Sequence, residues 1–214
     1  MEYKTISLSD QVYERLEQDI LSGKYQRGDL MTEMQLCSEL GVSRTPIREA
    51  LRRLAQEHLI KETPKGNIVL GITPKDFHDM TEIRLRIEEL AVRGFIAHAD
   101  TNSLKDLNET LEFQEFYLSR GDVDHLKTLD GRFHEIIYAG CDSLVLHDTL
   151  TRLHKKIQQY RRNSIRTPER ATHSVQEHRA ILEAIVAGDA DLAVSRMNQH
   201  IANALQRALN KEDP

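Results

Sequence analysis

Apolar residues near the N-terminus recur at the spacing of a helix that buries one face. The stripe consists of Val12, Leu16 and Ile20. Ser9 or Asp10 is expected to open this helix, because both residue types cap helix N-termini, and Gly23 is expected to end it. The pattern therefore predicts a helix that braces the segment after it.

Two shorter helices joined by a tight turn are predicted over residues 31–54. Thr32, with Gln35 three residues later, has the spacing of a capping box, so a helix should begin there and run to about Leu40. Gly41 interrupts the helix, and Ser43 is expected to cap the next one. This arrangement is the sequence form of a DNA-reading helix-turn-helix.

The second of these helices separates apolar side chains from basic ones. Pro46 suits its first turn, where backbone amides lack intrahelical partners. A buried stripe is predicted at Ile47, Ala50, Leu51 and Leu54. The arginines outside the stripe are Arg44, Arg48, Arg52 and Arg53. We expect all four to be free to face phosphates and base edges, although arginines on an arbitrary helix more often supply only surface charge.

A hairpin is predicted directly after the helix-turn-helix. Residues 62–63 and 68–70 flank a turn over residues 64–67, and a glycine in a turn between two such runs is typical of a hairpin. A helix-turn-helix with a two-stranded wing is a winged helix. Residues 72–74 predict a domain junction, because Pro74 disfavours helix in the residue before it and suits the start of the next helix.

Beyond Pro74 the sequence shows no strand pattern. Helical spacing recurs in six segments, which are residues 74–99, 102–119, 122–140, 143–163, 169–187 and 189–210. Short connections between helices of this length indicate an antiparallel bundle. The predicted fold is mainly α, with a winged helix-turn-helix domain at residues 5–73 and a six-helix bundle at residues 74–214. We interpret the basic run at residues 152–170 as a solvated face in preference to a second phosphate-binding surface.

The net charge of −5 argues against a nucleic-acid partner, but the charge is unevenly distributed. Residues 41–70 hold 6 Lys and Arg against 3 Asp and Glu, and a local basic patch is enough to bind phosphates. No apolar run reaches the length of a membrane span and no secretion signal opens the chain, so a cytoplasmic location without membrane partners is expected. Cys37 and Cys141 are expected to be reduced, buried thiols, with a redox switch as the less favoured alternative.

The stretch GVSRTPIREALRRL, followed by HLIKETPKGNIVL, resembles the DNA-binding domain of the GntR family of bacterial transcription regulators. The resemblance covers residues 5–73 and implies double-stranded DNA as the partner. A homodimer joined through the helical domain would read a palindromic operator. The DNA-contacting residues are expected to be Ser43 and Thr45 on phosphates, Arg44 and Arg48 on guanine edges or phosphates, and Gly66 where the wing approaches the DNA.

Polar residues on the apolar stripes of three bundle helices indicate a buried polar site. Asp130 and His134 lie one helical turn apart, and His178 and His200 sit on two later stripes. Each histidine alone is more often a hydrogen-bonded core or surface residue than a ligand. Together, three imidazoles and one carboxylate could complete the coordination of a divalent cation such as zinc.

The helical half resembles the FCD class of ligand-binding domain, which is typical of the FadR-like subgroup of GntR regulators. LDGRFHEII, VQEHRAILEAI and MNQHIANA match the family's Asp-x-x-x-His pair and two later histidines. The resemblance implies Asp130, His134, His178 and His200 as metal ligands, with zinc favoured and nickel or manganese as alternatives. The histidines without a counterpart in that pattern are His58, His78, His98, His125, His147, His154 and His173.

Arg84 and Glu88 resemble an Arg-x-x-x-Glu pair of the same family. They are either an intrahelical ion pair or, if Arg84 faces the metal, part of a two-point clamp for a carboxylate effector. A divalent cation beside one aspartate leaves net positive charge in an apolar bundle. The expected effector is therefore a small organic or sugar acid.

The leading hypothesis is an effector-responsive DNA-binding regulator, with a repressor favoured over an activator, that is not an enzyme. A regulator that responds to metal alone is one alternative, and a metalloenzyme is another. Glu135 and Glu177 adjoin ligands in sequence, but helix neighbours are rotated by a large angle, so both are expected to point away from the site. The sequence also lacks a nucleophile elbow and a phosphate-binding loop.

Overall fold

The computed structural model describes residues 6–162 and 168–209. The chain divides at Thr73–Pro74 into two compact units. The N-terminal unit contains α1 (Leu8–Leu21), β1 (Leu30–Met31), α2 (Glu33–Leu40), α3 (Arg44–Gln56), β2 (Ile60–Thr63) and β3 (Gly66–Val69). The three strands form one antiparallel sheet in the order β1-β3-β2, with the β2–β3 hairpin as the wing.

The helix ends in this unit follow local capping chemistry. α1 begins earlier than expected, because Ser7, and not Ser9 or Asp10, is its N-cap and accepts a hydrogen bond from the Asp10 amide. Thr32 caps α2 as predicted, through a hydrogen bond from the Gln35 amide, and Gly41 ends α2 with φ 67°. Ser43 occupies the N-cap position of α3, but its side chain makes no capping hydrogen bond. The capping role expected for its hydroxyl is therefore wrong.

The sheet has one strand more than the sequence predicted. β1 pairs with β3 through Leu30 and Ile68, and a strand of two residues is too short to show the alternation that identifies strands. The turn of the hairpin is also shorter than expected. Thr63 and Gly66 are already paired, which leaves only Pro64 and Lys65 between the strands.

Gly66 has a structural role within the sheet. Its φ is 136°, and a Cβ atom there would lie 2.9 Å from the carbonyl oxygen of Met31 in β1. The absence of a side chain therefore lets β3 approach β1 closely. This requirement is separate from the predicted DNA contact of Gly66.

The C-terminal unit is helical throughout its described residues. It contains α4 (Pro74–His98), α5 (Thr101–Arg120), α6 (Val123–Ala139), α7 (Leu144–Arg162), α8 (Pro168–Val186) and α9 (Ala190–Leu209). These are the six helices that the apolar spacing predicted, although the predicted ends at residues 163 and 210 lie outside the described residues. α4 packs against α6, α7 and α9, while α8 packs against α5, α6 and α9. Buried apolar side chains from all six helices form one common core.

The basic run at residues 152–170 has a mixed character in its described part. Arg152 and Lys155 are exposed, whereas His154 and Ile157 are buried. The side chains of residues 161–170 lie outside the described set. The solvated-face interpretation thus holds for Arg152 and Lys155 but is wrong for His154.

Two further expectations concern the cysteines and membranes. Both cysteines are free thiols, and Cys141 is buried as predicted, but Cys37 is only half-buried. Among the described residues, no helix is both long and apolar enough to cross a membrane.

Candidate functional site

The predicted DNA-reading surface lies at the start of α3. Ser43, Arg44 and Thr45 are exposed on its first turn, and Arg48 is exposed one turn later. The stripe predicted on the opposite side is buried and comprises Ile47, Ala50, Leu51 and Leu54. The structure therefore places three of the five residues predicted to contact DNA on α3 and Ser43 at its N-cap, while Gly66 lies at the start of β3.

The four arginines of α3 differ in their contacts. Arg53 donates to Asp10 at 2.5 Å and lies 3.8 Å from the centre of the Tyr13 ring, so it joins α3 to α1. The expectation that all four arginines are free is therefore wrong for Arg53. Arg48 donates from Nε to both carboxylate oxygens of Glu33 at 2.9 Å. This exposed pair is weak enough for DNA phosphate to replace the carboxylate.

The predicted metal ligands come together inside the helical unit. Asp130 and His134 project from α6, His178 from α8 and His200 from α9. One ligand atom from each of the four lies within 4.8 Å of all the others. The three histidines are buried, while Asp130 is partly exposed.

Each of the three imidazoles forms a hydrogen bond through its Nδ1 atom. His134 Nδ1 lies 2.9 Å from Glu88 Oε1, and His200 Nδ1 lies 2.8 Å from Glu177 Oε2. His178 Nδ1 lies 2.8 Å from Gln114 Oε1. Because carboxylate and amide oxygens are acceptors, each Nδ1 carries the proton, and each Nε2 presents a lone pair.

The Gln114 amide is oriented by a second contact. Its Nε2 donates to the carbonyl oxygen of Leu129 at 2.9 Å, which turns Oε1 towards His178. Histidines that bind metals commonly have an oxygen acceptor on the other ring nitrogen in this way. The site thus contains both the candidate ligands and groups that orient the imidazoles.

Two of the distances between the ligand atoms are close to those expected around a shared metal ion. His134 Nε2 and His200 Nε2 are 3.3 Å apart, and His178 Nε2 is 3.7 Å from Asp130 Oδ1. Two ligands at zinc bond lengths and a tetrahedral angle are about 3.4 Å apart. His178 Nε2 is also buried without a hydrogen-bond partner among the described residues. A cation between these atoms would satisfy lone pairs that otherwise face one another.

His134 and His178 do not carry that positive charge themselves at neutral pH. Burial, together with the Arg84 charge, lowers the pKa of His134 to about 4. Burial, together with the neighbouring His200, lowers the pKa of His178 well below its ordinary value. Both imidazoles are therefore neutral at pH 7, as metal ligands must be.

Arg84 and Glu88 form a buried ion pair beside His134. Arg84 donates to Glu88 from Nε, and from Nη2 at 3.1 Å, while Tyr138 donates to Glu88 Oε1 at 2.9 Å. Burial by itself would raise the pKa of Glu88, but Arg84 and His134 outweigh it and hold the pKa below its ordinary range. Glu88 is therefore an ionised acceptor that fixes the proton on His134 Nδ1.

Sequence reasoning missed four residues of this site. Gln114 and Tyr138 lie far in sequence from the groups they contact. Glu177 was expected to point away from the site. It is not one of the four candidate ligands, but its Oε2 atom accepts a hydrogen bond from Nδ1 of His200. His154 was left out of the site, yet it is buried with its ring centre 4.6 Å from that of His134. A signal for Glu177 was its position directly before His178, on the helix that faces α9.

Curated relatives cover most of the chain. An uncharacterised helix-turn-helix transcriptional regulator of Bacillus subtilis, YdhC, is 31% identical over 89% of this chain and 86% of its own length. The gluconate operon transcriptional repressor of Bacillus subtilis is 27% identical, over 86% of this chain and 78% of its own length. The transcriptional repressor RspR of Escherichia coli is 26% identical, over 92% and 87% respectively.

A solved structure shares the fold, and two family profiles match the sequence. McbR/YncC of E. coli covers 98% of this chain, and all of that chain is matched, with a TM-score of 0.81 at 21% identity. The profile of the gntR family of bacterial regulatory proteins matches residues 8–69, and that of the FCD domain matches residues 79–203. These relatives and this fold are those of DNA-binding transcription regulators and not of enzymes. The chain belongs to the GntR family of bacterial transcription regulators and carries an FCD domain.

Proposed function

We propose that the protein is a homodimeric repressor whose operator binding is controlled by a small organic or sugar acid at a divalent metal ion. The observation that carries this proposal is the cluster of three buried imidazoles, each hydrogen-bonded through Nδ1, and the Asp130 carboxylate, whose ligand atoms all lie within 4.8 Å of one another. Without a cation, His134 Nε2 and His200 Nε2 would face each other as two acceptors at 3.3 Å. Nitrogen ligands with one carboxylate suit zinc first, nickel second and manganese less well.

The charges around the site favour an anionic effector. Arg84 and Glu88 neutralise each other, and Asp130 offsets only one of the two charges of the metal. The remaining positive charge in a buried site favours a carboxylate as the ligand that completes the coordination. One relative is named for the gluconate operon, and gluconate is a sugar acid, which supports this chemical class.

In the described structure Arg84 forms the buried ion pair with Glu88, which was one of the two alternatives for it. Its Nε and Nη2 atoms are directed at Glu88, and Nη2 also lies 3.3 Å from His134 Nε2. An incoming carboxylate therefore meets a positive charge whose fork is already used by Glu88. We infer that the role of Arg84 at this site is to keep Glu88 ionised.

The chain itself connects this site to the DNA-binding unit. α4 carries Arg84 and Glu88 and begins at Pro74, directly after Thr73 at the boundary between the units. A shift of α4 on acid binding would act on the junction. Such a shift changes operator binding only if the acid has different affinities for the two arrangements of the dimer.

A titration of operator complexes tests the regulatory proposal. The zinc-loaded protein is bound to DNA from its own upstream region, and a panel of organic and sugar acids is added with and without zinc. We expect release of the DNA by at least one acid, only when zinc is present. Release by zinc alone would indicate a metal-responsive regulator, and full zinc occupancy without any acid response would reduce the metal to a structural role. Light scattering at micromolar concentration should give the mass of a dimer.

Arg44 is expected to contribute to sequence reading. Arg44→Ala should cost about 1–3 kcal/mol on the operator and little on random DNA, because a base contact is lost and most phosphate contacts remain. Arg44→Lys is the matched control, since it keeps the charge but loses the planar fork. Both variants are measured at one fixed salt concentration. Equal losses on both DNA sequences for Arg44→Ala, with full recovery in Arg44→Lys, would show a phosphate contact instead.

A further inference from the structure

His154 of α7 is a buried polar residue for which the described residues provide no hydrogen-bond partner. The residue is only 5% exposed to solvent. Neither of its ring nitrogens has a hydrogen-bond partner among the described residues. Its ring centre lies 4.6 Å from that of His134 and 6.2 Å from that of Tyr138. The unpartnered imidazole is therefore packed directly beside the metal centre.

The position of His154 is costly unless something else occupies the site. A neutral imidazole always has one N–H donor and one acceptor nitrogen, and burying both without partners is unfavourable. An apolar side chain would fill the same space in the core without that cost. Two unsatisfied nitrogens next to a candidate metal centre therefore indicate a polar ligand that is bound in the working protein.

His154 is not one of the clustered metal ligands. The ligand atoms that lie within 4.8 Å of one another belong to Asp130, His134, His178 and His200, and a nitrogen of His154 is not in that group. Zinc with four protein ligands can accept one more ligand from solution. A residue beside the ion but outside its ligand set is placed to contact that incoming molecule.

We propose that His154 donates a hydrogen bond to the carboxylate of the acid that completes the metal coordination. This inference rests on the proposed function and adds a recognition residue to it. One carboxylate oxygen would bind the metal, and the second would accept the N–H of His154. His154 thus selects for carboxylates over ligands with only one oxygen atom.

The test uses the full-length protein loaded with cobalt, whose visible spectrum reports its coordination. Wild type, His154→Phe and His154→Gln are titrated with acetate and with lactate at fixed pH. His147→Phe is the matched control, because His147 lies on the same helix, is partly exposed and contacts Asp148 outside the site. Metal content and unfolding temperature are measured for every variant before titration.

We expect His154→Phe to retain one metal ion per chain and to bind the acids about 10- to 100-fold more weakly, the range for a hydrogen bond to a charged group. His154→Gln keeps an N–H donor and should recover part of the affinity, and His147→Phe should match wild type. Unchanged acid affinity in folded, metal-loaded His154→Phe would overturn the inference alone. A changed cobalt spectrum and weaker metal binding before acid is added would also overturn it, by making His154 a metal ligand. Absence of metal or of acid binding in wild type would overturn the proposed function and the inference together.

Discussion

His178→Ala is expected to lose stoichiometric zinc binding and most of the stability that zinc confers. With free zinc at a thousand times its dissociation constant, bound metal stabilises a folded protein by about 4 kcal/mol. For a unit of this size, that corresponds to a rise in melting temperature of roughly 8–16 °C. His178 Nε2 is buried and has no hydrogen-bond partner in the part of the chain that the structure describes, so we expect its removal to affect the metal-loaded protein far more than the metal-free one.

Metal analysis after dialysis and thermal unfolding with and without a chelator measure these effects. His173→Ala is the matched control, because His173 lies on the same helix but is exposed. The control should keep one zinc ion per chain and the full chelator-dependent shift. Equal zinc content and equal shifts in His178→Ala and wild type would remove His178 from the metal site.

Features of the fold that depend on local sequence were predictable. The six helices of the bundle follow from apolar spacing. Thr32 accounts for the start of α2, and Gly41 accounts for its end. These signals are local, since a cap or a stripe is decided by residues within a few turns. The two-residue strand β1 was not predicted, because its pairing with β3 depends on residues almost forty positions away.

In the candidate site, too, features that depend on nearby residues were predictable and features that depend on distant residues were not. Asp130 and His134 are one turn apart on one helix, so their shared direction could be read from the sequence. The partners that orient the imidazoles could not, because Gln114 is 64 positions from His178 and only tertiary packing brings them together. His154 was obscured for another reason. It precedes Lys155 and Lys156 in a basic run, and composition does not show which residue of such a run faces the core.

Arg84→Ala is expected to destabilise the helical unit by about 3–5 kcal/mol, because it leaves the Glu88 carboxylate buried without its counter-ion. Both side chains are essentially inaccessible, so solvent cannot replace the lost partner. Arg93 on the same helix is the matched control, because its ion pairs with Glu89 and Asp191 are both exposed. Arg93→Ala should cost no more than about 1 kcal/mol.

The loss in Arg84→Ala should depend on pH in a defined direction. In the wild type the pKa of Glu88 lies below its ordinary value, so the pair contributes stability above the pKa of the unfolded chain, which is about 4.3, and loses it as the pH falls. In Arg84→Ala the effect of burial dominates and raises that pKa, so the folded variant loses stability as the pH rises above about 4.3. The difference between the two proteins should therefore be larger at pH 7.5 than at pH 5.

Urea unfolding of metal-free wild type and Arg84→Ala at pH 7.5 and at pH 5 measures the difference in their stability. Arg84→Ala combined with Glu88→Gln should recover much of the loss and most of its pH dependence, because the buried group is then neutral but still accepts hydrogen bonds from His134 and Tyr138. A pH-independent loss, shared equally by the single and double variants, would mean that Arg84 acts through packing alone. In that case the ion pair would not be what keeps Glu88 charged and the proton on Nδ1 of His134.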